Sequence, residues 1–202
     1  MQRTAHWAVG IGYVLAYVFL DALSFVQPLL KLGITPWTPQ AGLTVAFLLW
    51  RGWRHAPWTL VAAFLAEVVV RGSPASVPAL LAASASIALG YGALTCLLSR
   101  RRFVFPIAGR RDAAMLVIGA ALAAAPVAIG YVAAFAAAGL LPLHESGAAV
   151  ARYWVGDLNG VLTLAPLLLA WSRRTEMLRA AAARWRLCAA QGALLAAVLW
   201  LV

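Results

Sequence analysis

Apolar runs recur along almost the whole of this chain, and they are the feature that most restricts its fold. Seven can be placed, at about 7–30, 39–50, 56–70, 77–99, 113–138, 149–171 and 187–202. With 64% hydrophobic and only 11% charged residues, the chain lies far from the composition of soluble domains. In lipid every backbone amide and carbonyl must be paired inside the protein, so only helices and closed barrels can span. Strand patterns of alternating polarity are absent, which leaves helices. The expected fold is all-α, a polytopic transmembrane bundle with seven helices visible. Most of the runs supply the roughly 20 residues that cross about 30 Å of hydrocarbon. The second and third are short and are punctuated by Pro36, Pro39 and Pro57. A re-entrant hairpin there would bury Arg51 and Arg54 at a cost of several kcal/mol. Two thin spanning helices anchored by Trp37, Trp50, Trp53 and Trp58 are therefore expected.

The formal charge of +10 raises the question of nucleic acid, and the placement of the basic residues answers it. Read from a cytoplasmic N-terminus, Arg3, Arg51, Arg54, Arg100, Arg101, Arg102, Arg110, Arg111, Arg173, Arg174, Arg179, Arg184 and Arg186 share one side, and only Lys31, Arg71 and Arg152 face the other. The positive-inside rule produces this split in a multi-pass membrane protein. The bilayer is then the expected partner, and nucleic acid is not needed. Asp21 interrupts the first apolar run and no cleavage site follows, so a retained helix is expected rather than a signal peptide. The stretch from Ser172 to Arg186 reads as a basic surface segment along the inner leaflet.

Chemistry-bearing motifs are sparse. Cys96 and Cys188 have no metal-ligand spacing, and His6, His55 and His144 fall at helix ends or in loops on different sides. No glycine-rich phosphate loop or nucleophile elbow is present. The sequence therefore assigns no catalytic residue, metal or cofactor. In the fourth run Ser84, Ala88 and Gly92 recur every four residues, and the fifth is mostly alanine and glycine around Pro126. Such faces let helices approach closely, and both are assigned to packing without chemistry.

Three acids, Asp21, Glu67 and Asp157, fall inside apolar runs, where an ionisable side chain is costly and usually faces the bundle interior with a partner. Glu67 stands one turn before Arg71, so the two are expected to neutralise each other on one helix face. Asp21 lies too deep for bulk water and is expected to hydrogen-bond within the bundle, either as a neutralised acid or with an unidentified donor. Asp157 sits in the densest polar patch, Tyr153-Trp154-Val155-Gly156-Asp157-Leu158-Asn159-Gly160, with Tyr153 one turn away as the expected donor. Asp157 and Asn159 point about 200° apart at 100° per residue, so this helix is expected at the centre, enclosed on both faces. Threading the chain collects Asp21, Trp37, Gln40, Glu67, Arg71, Arg152, Tyr153, Asp157 and Asn159 at the outer half. Such a set either lines an outward-opening pocket for a small ligand or forms a buried network that fixes helix register.

Two stretches resemble a known family. The first runs from Trp37-Thr38-Pro39-Gln40-Ala41-Gly42 through Trp50-Arg51-Gly52, with Trp53, Pro57 and an apolar run to Gly72 beyond it. The second is Tyr153-Trp154-Val155-Gly156-Asp157-Leu158-Asn159-Gly160, with Pro166 two turns later. Both are similar to the type 1 membrane-associated sensor (MASE) domain, the input module of bacterial signalling proteins. The match covers nearly the whole chain in pattern and order. The sequence departs from it in carrying Glu67 where relatives commonly have a smaller polar residue such as Asn. The resemblance implies structural roles for Pro39, Gly42, Gly156, Gly160 and Pro166. It further implies a single sensor domain over 1–202 with about eight spanning helices, joined in cis to a cytoplasmic histidine kinase or cyclic-di-GMP output. The last transmembrane helix and that output are then expected beyond Val202.

A sensory input domain is thus the leading expectation, in which a signal at the outer half shifts helix packing. Any enzymatic activity would belong to the output. A homodimer is compatible with it. A small transporter or channel with the three acids along its path, and a scaffold for another membrane protein, are the alternatives. Asp157 is expected to carry more of the function than Glu67, because the Glu67–Arg71 pair would mostly report itself.

Overall fold

A computed structural model describes residues 2–25 (side chains from Trp7 onward), 32, 34–103 and 109–172. Within these the protein has six α-helices: α1 Gln2–Ser24, α2 Pro39–Arg51, α3 Ala56–Val69, α4 Val77–Arg100, α5 Arg110–Ala137 and α6 Leu143–Ser172. A single 3-10 turn, Trp53–His55, separates α2 from α3. The seventh apolar run, the basic stretch beyond Ser172, Cys188, Lys31 and the side chain of His6 lie outside the described residues. Four helices contain stretches long and apolar enough to cross a membrane, Trp7–Ser24, Val77–Arg100, Arg110–Ala137 and Leu143–Trp171. Proline sits in the first turn of α2, α3 and α4, where its missing N–H has no intrahelical partner to lose.

The helices close into a ring in the order α1, α3, α4, α5, α6, α2, and α2 also touches α4 across the middle. This placement corrects the expected centre of the bundle. The most enclosed helix is α2, with nine of its thirteen residues buried, whereas α6 exposes Arg152, Val155, Asn159 and Leu167 on its outer side. The short α2 has room at the centre because its face is small and uncharged: Ala41, Gly42, Thr44, Val45 and Ala46. Around the ring Leu15, Phe19, Leu89, Leu122, Ile129 and Leu167 point outward, an apolar belt of the kind that lipid covers. The stripe Ser84, Ala88, Gly92 is buried as the spacing predicts.

Tyr13 registers the first three helices. Its ring stacks on Phe47 at 4.0 Å between centroids, and its hydroxyl lies 2.8 Å from Thr44 Oγ1 and 3.1 Å from Thr59 Oγ1.

The short second run is explained by a broken crossing. At 1.5 Å per residue the thirteen residues of α2 cover about 20 Å, less than the hydrocarbon core. The chain ahead of α2 is non-helical, yet Ile34, Thr35 and Thr38 are buried. Irregular backbone at membrane depth is tolerated only when protein encloses it, and here α6 provides the wall. The Thr38 amide donates to the Gly156 carbonyl at 3.2 Å. A Cβ added at Gly156 would collide with the Thr35 carbonyl, and one at Gly160 with the Thr38 carbonyl; one at Gly42 would in turn meet the Gly160 carbonyl. The three motif glycines are thus one close approach of two backbones, in which no side chain fits.

Candidate functional site

The polar residues named from the sequence divide into a buried ionic core, an aspartate clamp and a surface group. In the ionic core Arg71, just past the end of α3, reaches across to α1. Its Nη2 donates to Asp21 Oδ1 at 2.7 Å, and its Nη1 lies 3.3 Å from Glu67 Oε1. All three side chains are almost sealed, at 5%, 2% and 4% exposure for Arg71, Asp21 and Glu67. Gln40 at the start of α2 donates to Asp21 Oδ1 at 2.8 Å and accepts from Ser24 Oγ at 3.3 Å. From α5, the Tyr131 hydroxyl donates to Glu67 Oε1 at 2.7 Å. The Arg71 guanidinium also sits 5.4 Å from the Phe25 ring centroid, a cation–π distance.

Two expectations change here. The donor that Asp21 lacked on paper is Arg71 with Gln40, and the Glu67–Arg71 pair is not self-contained. One guanidinium serves two carboxylates from different helices, because its planar fork presents several donors in fixed directions. A local turn places Arg71 for this reach: Gly72 has φ 69° and Ser73 φ 58°, and the Ser73 amide returns to the Glu67 carbonyl at 3.0 Å.

The clamp is built around Asp157 of α6. Asp157 accepts from Thr38 Oγ1 at 2.6 Å and, through its other oxygen, from the Tyr91 hydroxyl. Tyr153, the donor expected from spacing, instead tilts its ring over Tyr131 at 4.5 Å between centroids. Tyr91 on α4 and Tyr131 on α5 therefore supply chemistry from two helices assigned to packing alone. The signal that could have found them is a hydroxyl-bearing ring on an otherwise small-residue helix, since a buried tyrosine usually finds a partner for its O–H.

The surface group is the part of the expected pocket that does not assemble. Arg152 is exposed, as is Asn159, and Trp37 is 46% exposed. Asn159 donates to the Pro36 carbonyl at 3.3 Å and Trp37 Nε1 to Thr163 Oγ1 at 3.4 Å. These bonds fasten the non-helical segment ahead of α2 to α6 from outside. Trp154, half-buried, donates to the Ala121 carbonyl of α5 at 2.9 Å. Pro166 stands inside α6, where it cannot supply its own amide to the helix.

The polar cavity among Tyr17, Asp21, Gln40, Glu67, Arg71 and Tyr131 has a volume of only about 10 Å³. Larger hollows of about 370 and 480 Å³ lie near the 3-10 turn, one around Trp7 and Trp58 and the other around Trp53 and Leu89, and both are open and apolar. Among the described residues no group of three or more His, Cys, Asp or Glu could hold a metal ion.

An apolar belt around a sealed, cross-braced ionic core defines a helical membrane domain whose polar groups bind helices to one another. The sequence model of the MASE1 family matches residues 7–202, and the chain belongs to that family, a family of membrane sensory domains without catalytic function. No curated protein and no solved structure gives a significant match.

Proposed function

We propose that this domain is the input half of a signal-transduction protein of the bacterial inner membrane, with its N-terminus cytoplasmic. A signal at the end of the bundle that carries Gly72 and Gly139 changes how the helices pack, and the change reaches a cytoplasmic kinase or cyclic-di-GMP output joined in cis. The observation that supports this most is the sharing of each buried charge among several elements: Asp157 joins α6, α4 and the segment ahead of α2, and Arg71 joins α3 to α1. A set of bonds divided in this way has two states, all made or partly broken. That is the kind of element a sensor needs, since a signal can only bias packings of similar energy.

The test is Asp157→Asn in the full-length protein at matched membrane abundance. Asparagine keeps the shape and removes the charge that Thr38 and Tyr91 donate to, an interaction worth about 1.5 to 3 kcal/mol. The set-point of the output should shift by about tenfold or more. Unchanged output would return Asp157 to a purely structural role.

A further inference from the structure

Three buried atoms of the ionic core have no hydrogen-bond partner: Asp21 Oδ2, Glu67 Oε2 and Arg71 Nε. Their side chains are 2%, 4% and 5% exposed, and all three residues line the same cavity of about 10 Å³. Two of these atoms are carboxylate acceptors and one is an N–H donor. Leaving each unpaired in a sealed interior is costly, and the opposite signs of the three requirements narrow what can satisfy them together. A cation would pair with the carboxylates but be repelled by Arg71 and leave its Nε–H unmet. An anion would be repelled by both carboxylates. A proton shared between Asp21 and Glu67 would still leave Arg71 Nε without an acceptor.

We propose that the cavity is a binding site for a single water molecule, donating to Asp21 Oδ2 and Glu67 Oε2 and accepting from Arg71 Nε. Water supplies two donors and an acceptor, and the volume is at the threshold for one molecule with polar partners. The bound water completes the valence of α1 and α3 at the point where Arg71 already holds them together. It belongs to the ionic core irrespective of what the domain senses.

The test uses the full chain in lipid bilayers with isotope-labelled arginine, aspartate and glutamate, the Arg71 Nε–H signal being identified by its loss in Arg71→Lys. Solid-state NMR magnetisation transfer from water should reach Arg71 Hε on the timescale of a bound molecule. A direct contact of Hε with the Asp21 or Glu67 carboxyl carbon and no transfer from water would overturn the proposal. So would a carboxyl shift showing either acid protonated, since the proton would then occupy the place of the water's donors.

Discussion

Arg71 holds two carboxylates at once, and removing it leaves both buried without a counter-charge. Breaking a buried ionic group by deleting one partner costs about 3 to 5 kcal/mol, so Arg71→Gln should lower the melting temperature in detergent sharply and reduce membrane abundance. The double variant Arg71→Gln with Asp21→Asn should recover part of that loss, because one of the stranded charges is gone. Simple additivity in a double-mutant cycle would show that the two residues do not share a network. Tyr91→Phe tests the clamp in the same way: it removes one of the two donors to Asp157 and should cost about 1 to 3 kcal/mol. The charges themselves were legible in the sequence, because Asp21, Glu67 and Asp157 are expensive wherever a chain is otherwise apolar. Apart from Arg71, one turn from Glu67, their partners were not. Arg71 is fifty residues from Asp21 and Tyr91 sixty-six from Asp157, separations that no helical period relates.

At the level of single elements, the fit of α2 and the non-helical segment ahead of it depends on bare backbone in α6. Gly160→Ala places a methyl group against the Thr38 carbonyl and should destabilise the protein by about 1 to 3 kcal/mol through overpacking. Gly147→Ala, on the same helix with nothing within 4 Å of the added Cβ, should be neutral or slightly stabilising, since alanine is the better helix former. Thermal unfolding of both variants side by side provides the comparison, and equal stability of the two would mean that the segment does not lie on α6. The proline at position 39 and the shortness of its run already marked α2 as unusual. What spacing could not reveal is that non-helical chain precedes α2 inside the bundle, because Thr35 and Thr38 meet the α6 backbone at Gly156 and Gly160, more than a hundred residues away.

For the whole molecule, the ring order brings the ends of α3 and α5 to one face and the ends of α2 and α4 to the other. The proposed cytoplasmic N-terminus would turn Gly72 and Gly139 outward and the basic turns at Arg51–Arg54 and Arg100–Arg102 inward. A reporter active only outside the cytoplasm should therefore work when inserted at Gly139 and fail at Arg102. The reverse result would invert the bundle and place the ionic core at the cytoplasmic half.

The sequence by itself determined the solvent, the helical class and which side chains cannot be left alone. Each of these follows from composition and local periodicity: a backbone in lipid must bond to itself, and a charge in lipid must be met. Only the tertiary structure decided which residues meet them. It put α2 at the centre in place of α6, turned Asn159, Trp37 and Arg152 outward, and drew Arg71 to Asp21 as well as Glu67. Those outcomes depend on how six helices pack around one another, and the energy of a packed contact belongs to both faces together, so neither run of sequence records it alone.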